Sequence, residues 1–178
     1  KLLAVMQMTL KGTPFIFQGD EMGLTNYQFT SMDQVTDVEA KGYYAEYIKK
    51  MSEKEAFAKI LAGTREHTRV LLPWNEKLPS YHEGLVQEIR TEITEVYKAL
   101  IKLRRENEAL IYGDFKVVNQ DKNRFVYQRV LGETEFMVDC NLGKQQRKEY
   151  RISGKCVFTT GNEKGPLSPY EARIFVKN

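Results

Sequence analysis

The sequence predicts an α+β protein: a mostly helical first part, residues 1–108, followed by an all-β antiparallel sandwich, residues 109–178. Two observations carry this. Apolar residues recur three or four apart up to about Asn107 and every second residue beyond it, so the period passes from that of a helix to that of a strand. Within the helical part, Phe15-Ile16-Phe17 runs without polar interruption, which suits a strand buried on both faces of a parallel sheet. That run ends in Gln18-Gly19-Asp20-Glu21-Met22-Gly23, a glycine turn that delivers two carboxylates just past the strand.

Taken in order, residues 1–11 are apolar on most sides and predict a buried helix with Gly12 as its C-cap. They could be mistaken for the apolar core of a signal peptide, but a basic leader and a small-residue cleavage site are absent. Pro14 sits at the strand's entry, where a missing N–H costs least. After a loop at 27–33, Val35, Val38, Tyr44, Tyr47, Ile48 and Met51 fall at helical spacing. Ser52 with Glu55 makes a capping box that starts a helix through Phe57, Ile60 and Leu61, closed by Gly63. The loop at 64–79 carries Arg65, Arg69 and Trp74. A second capping box, Ser80 with Glu83, opens the longest amphipathic helix: Leu85, Ile89, Ile93, Val96, Leu100 and Leu103, running to about Asn107. Strands are then expected around Phe115 and Val117, Phe125 and Tyr127, and Phe136, Val138 and Cys140, with Gly132 at a hairpin. Ile152, Val157, Ala172, Ile174 and Val176 supply the remaining strands of the sandwich.

A chain of 178 residues allows one ordinary domain or a small domain with an appendage. A net charge of +3 is too small to argue for nucleic acid, and the charge run at 144–151 reads as a solvated strand or turn. No apolar run approaches the roughly 20 residues of a membrane span. Cys140 and Cys156 could pair, but two cysteines without a secretory leader read as free thiols of a cytoplasmic protein. No cofactor is expected. His67 and His82 are the only histidines and lack further ligands at metal-binding spacing, and neither a Gly-x-Ser-x-Gly elbow nor a phosphate loop is present. Tyr43, Tyr44 and Tyr47 form a helical stripe read as packing, and Trp74 is read as a core anchor with sugar stacking as the other reading.

The stretch from Thr13 to Gly23, continuing through Leu24-Thr25-Asn26, resembles the last barrel strand of the α-amylase superfamily of glycoside hydrolases, in its α-glucosidase and oligo-1,6-glucosidase branch. Arg65-Glu66-His67-Thr68-Arg69 resembles that family's Arg-Asp-Asn-Ala-Arg loop, and Trp74 falls where its tryptophan falls. Leu103-Arg104-Arg105-Glu106-Asn107 and Tyr112-Gly113-Asp114 resemble the junction into its C-terminal domain. Leu167-Ser168-Pro169-Tyr170-Glu171-Ala172-Arg173-Ile174-Phe175 is similar to its closing strand. The chain departs from the family at Val70-Leu71-Leu72-Pro73 and in a shortened loop after Trp74, so substrate preference does not carry over.

The resemblance implies that residues 1–108 are the remnant of the last (β/α) unit of a TIM-type barrel, which needs roughly 250 residues when complete. It implies a retaining hydrolase of α-glucosidic bonds in short oligosaccharides, which works with two carboxyl groups. The family takes those from earlier barrel strands, so the chain is expected to have no catalytic residue of its own and to be inactive alone. The substrate-binding candidates are Glu21, hydrogen-bonding the leaving-group sugar, and Arg65 and Arg69 at the barrel mouth. Each has a plainer alternative, a loop cap for Glu21 and surface ion pairs for the arginines. Two other functions stay open, a carbohydrate-binding module and an oligomeric scaffold without catalysis. In the latter, the apolar strand and first helix would be covered by a partner copy; on the fragment reading too, residues 1–24 are expected to self-associate or to refold against the chain's own helices.

Overall fold

The break in period near Asn107 is where helices give way to a sheet. The computed structural model describes residues 1–70, 72 and 90–177. Trp74, His82 and the capping box of Ser80 and Glu83 lie outside them. By packing, the chain forms two compact units, Lys1–Phe17 with Thr91–Asn178, and Gln18–Arg90. This differs from the sequence division at 108, because the first and the long helix both pack on the sheet.

In the first unit, α1 (Leu2–Thr9), α4 (Thr91–Arg105) and α5 (Glu108–Ile111) accompany five strands: β1 (Asp114–Asp121), β2 (Arg124–Leu131), β3 (Thr134–Asn141), β4 (Lys155–Thr159) and β5 (Ala172–Lys177). The strands form one antiparallel sheet in the order β1-β2-β3-β5-β4. Gly132 makes the expected hairpin, where Leu131 pairs with Thr134. Alternation sorts the two faces. Tyr127, Phe136, Val138 and Ile174 form one core with Val5 and Met8 of α1, Tyr97 and Leu100 of α4, and Leu110 of α5.

The sequence suggested two facing sheets; the described residues hold one. Helices cover its apolar face, and irregular chain covers the other. There Arg124 donates to Lys148 C=O, Asp139 accepts the Tyr150 N–H, and Arg173 donates to Gly165 C=O. Both cysteines are free. Cys140 on β3 and Cys156 on β4 are separated by β5, about two strand spacings of 4.8 Å, beyond disulfide reach. Burial pushes the Cys140 thiol up to about 12.

Two further expectations are corrected. The first helix ends at Thr9, with Leu10 already extended, rather than running to Gly12. The carbonyls at its end and just beyond are captured from elsewhere: Arg104 donates to Met8, Leu10 and Gly12, and Arg129 to Thr9. No strand forms at 13–17. The five strands pair with one another and not with this segment, and an extended run becomes a strand only through such pairing. Phe15 is 84% exposed and Phe17 54%.

Near the chain's end, Glu171 N–H closes a turn on Ser168 C=O at 3.1 Å, with Tyr170 at φ 57. It is the one non-glycine at positive φ among the described residues. Such a backbone costs an L-residue roughly 1–2 kcal/mol.

The second unit is built on α2 (Val38–Tyr47) and α3 (Glu53–Leu61). Ser52 and Glu55 cap α3 reciprocally, as their spacing predicts. Val35, Ala40 and Ile60 form one small core, with Tyr44 and Tyr47 packed on it; Phe29 and Val70 form another with Phe57 and Leu61. No helix among the described residues is long and apolar enough to cross a membrane.

Candidate functional site

Asp37 organises the candidate site. It stands just before Val38 and caps α2, its Oδ2 accepting the Ala40 N–H at 3.4 Å. The same carboxylate receives Arg65 Nη2 and Arg69 Nη1, each 3.0 Å from Oδ1. Arg65 also meets Glu39 Oε2 at 2.7 Å.

Arg65 opens the 3-10 turn Arg65–Thr68 and Arg69 directly follows it; Thr64 caps the turn by accepting the Glu66 N–H at 3.2 Å. Glu66, fully buried within that turn, accepts the Thr36 N–H at 3.0 Å, the Thr36 hydroxyl at 2.8 Å and the Asp37 N–H at 2.8 Å. One buried carboxylate thus ties the turn to the residues that open α2. His67 presents Nε2 to Leu61 C=O at 2.8 Å, so that nitrogen donates.

Glu21 lies in the 3-10 turn Asp20–Met22, and its Oε2 accepts the Gly19 N–H at 2.9 Å. Gly19 has φ 101, and a Cβ there would meet Leu24 Cδ1 at 2.8 Å, so only glycine fits this turn. The structure therefore brings Arg65 and Arg69 together on Asp37 and holds Glu21 in its own turn.

Asp37 and Glu39 are absent from the sequence-derived candidates. The signal for Asp37 was local, an aspartate one residue before the first apolar position of a helix. Glu39 carries none: one exposed glutamate in a first helical turn looks like any other.

Next to this cluster, Glu39, Tyr43, Tyr47, Lys59 and Arg65 line an open concavity of about 260 Å3. Tyr43 and Tyr47 stack with centroids 6.3 Å apart, and Tyr43 is 53% exposed, so part of the tyrosine stripe read as packing faces outward. No group of three or more potential metal ligands occurs among the described residues.

Burial acts to raise the Asp37 carboxyl, but the Arg69 hydrogen bond, the Ala40 N–H and the two guanidinium charges outweigh it and hold the group below its ordinary 3.8. A carboxyl lowered on folding contributes stability above its unfolded value and loses it as pH falls through the folded one. The stability advantage of Asp37 over an Asp37→Asn variant should therefore be full at neutral pH and shrink as the pH falls below about 5 and on through the lowered folded value. Urea denaturation of both proteins measures it. An advantage independent of pH would mean that the arginines do not stabilise the ionised form.

The cluster's guanidiniums are matched by carboxylates, yet the side chains of Arg65 and Arg69 remain 58% and 46% exposed, leaving donors directed outward. The profile of the alpha-amylase catalytic domain matches residues 1–113. The chain belongs to the alpha-amylase family. This alpha-amylase-family chain is 29% identical to the glucan 1,6-alpha-glucosidase of Streptococcus pneumoniae, over 97% of its own length and 37% of that protein. It is 31% identical to the oligo-1,6-glucosidase of Halalkalibacterium halodurans, over 99% and 37%. Among solved structures, isomaltulose synthase from Klebsiella sp. LX3 superposes with a TM-score of 0.81 at 25% identity, covering 99% of this chain and 37% of that one. The chain thus spans somewhat over a third of the length of these relatives.

Proposed function

We propose that these residues serve an α-glucosidase that hydrolyses α-glucosidic bonds of short oligosaccharides, with residues 1–108 closing its barrel and residues 109–178 bracing it. The observation that carries this reading is the match of 97% and 99% of the chain to relatives named for 1,6-glucosidase activity. In the assembled barrel Glu21, Arg65 and Arg69 contact the sugar; the outward donors of the arginines, preset by Asp37, support that role. The two free thiols fit a reducing cytoplasm. The carboxylic acid and nucleophile of a retaining glycosidase come from elsewhere on this reading, so the 178 residues alone do not turn over substrate.

The test is hydrolysis of isomaltose and p-nitrophenyl α-glucoside. The chain alone should release no glucose. The same chain placed after the first two-thirds of an oligo-1,6-glucosidase should restore release that the first two-thirds alone lacks. Turnover by the chain alone that disappears on substituting one of its own carboxylates would overturn the reading.

A further inference from the structure

Pro169 is second and Tyr170 third in the turn closed from Glu171 N–H to Ser168 C=O, and φ is positive at Tyr170. This is the pattern of a type II turn, whose third position favours glycine or asparagine. Tyr170 resists that backbone, and its side chain is not repaid by burial, since the residue is 51% exposed. Backbone strain of this kind clusters at functional sites. Tyr170 lines an open cleft of about 530 Å3.

The cleft is built, not incidental. Asn141, buried at 1% exposure, donates to Gln145 C=O and Ser168 C=O, both at 2.8 Å, and accepts the Gly143 N–H at 3.0 Å. One side chain thereby ties the segment after β3 to the turn that carries Tyr170. Leu142 N–H reaches Asn123 C=O at 2.8 Å and brings in the β1–β2 turn. A Cβ on Gly143 would stand 3.0 Å from Asn123 Cβ, a tight contact that a larger residue could make only if the neighbouring chain gave way by a few tenths of an ångström. Arg147 is fixed on Asp121 at 2.8 Å.

Asn123, Gln145 and Gln146 line this frame, together with Lys122 and Lys144. Neither lysine has an acidic partner among the described residues, and no carboxylate lines the cleft.

We infer that this cleft binds a sugar bearing an anionic group, a hexose phosphate in the simplest case. Tyr170 stacks on the sugar ring, the amides take its hydroxyls, and the two lysines take the anion as point charges. A neutral sugar leaves the lysines unused, and a bare phosphate leaves the tyrosine and amides unused. The inference stands independently of the α-glucosidase reading, because every residue it uses belongs to the sheet-containing unit.

Calorimetric titration of the 178-residue chain with glucose 6-phosphate, glucose and inorganic phosphate tests it. Glucose 6-phosphate should saturate the chain and bind at least about tenfold more tightly than either other ligand. Tyr170→Gly should keep or raise the urea midpoint, since glycine suits the turn, while weakening glucose 6-phosphate about tenfold. Lys122→Ala with Lys144→Ala should abolish the preference over glucose. Absence of saturation, phosphate binding as tightly as glucose 6-phosphate, or a folded Tyr170→Gly protein with unchanged affinity would each overturn the inference.

Discussion

Replacing Arg129 with methionine should lower the stability of the sheet-containing unit by about 3–5 kcal/mol, since several buried carbonyls lose their donor at a cost of about 1–3 kcal/mol each before relaxation. Arg129 is fully buried. It donates to Thr9 and Leu110 C=O at 2.8 and 2.7 Å, to Gly113 C=O at 2.9 and 3.2 Å, and to Ile111 C=O at 3.3 Å. These acceptors include the last carbonyls of α1 and α5, where the helix dipoles present partial negative charge. Burial, and then the charge of Arg104, pull the guanidinium below its ordinary pKa, so the carbonyls must compensate a desolvated cation. A buried ion pair can often be replaced by apolar residues at little cost, because both partners are side chains. Here the acceptors are main chain and stay behind, each left buried and unsatisfied. Urea denaturation of the two proteins gives the difference. Equal midpoints would show that water reaches those carbonyls and that the arginine does not hold the helix ends.

Leu100→Ala should cost about 2–5 kcal/mol, the range for truncating a large side chain in a packed core. Leu100 is 1% exposed and packs in the core that α1, α4, α5 and the sheet share. The loss should appear as a lower denaturation midpoint with an unchanged slope, because the surface exposed on unfolding stays nearly the same. An unchanged midpoint would mean that α4 does not bury this face against the sheet.

Features set by near neighbours could be read from the sequence, and features set by distant partners could not. The α3 capping box needs only Ser52 and Glu55, three residues apart, and it formed as read. The hairpin at Gly132 and the stripe through Leu100 are equally local. Phe15-Ile16-Phe17 has the composition of a buried strand, but strand formation depends on what lies beside it, which composition does not encode. The number of sheets was likewise hidden. It depends on β5 entering between β3 and β4, a pairing between residues far apart in the chain. At the candidate site, Arg65 and Arg69 stood out by type and spacing. Asp37, which draws them together, lies nearly thirty residues earlier and becomes visible only when α2 and the turn at 65–68 are packed.

The sheet-containing unit is interrupted in sequence: its first helix precedes, and its sheet follows, the whole of the Gln18–Arg90 unit. On a ribosome adding roughly 5–20 residues per second, α1 leaves the exit tunnel several seconds or more before β2 and β3, which it packs against. The intervening unit is complete well before then and can fold first. During that wait Val5 and Met8, buried in the finished protein, are exposed on a nascent helix. The interval in which this apolar face is left uncovered therefore falls between the emergence of α1 and that of β3, and it would lengthen wherever codon usage slowed translation of residues 91–141.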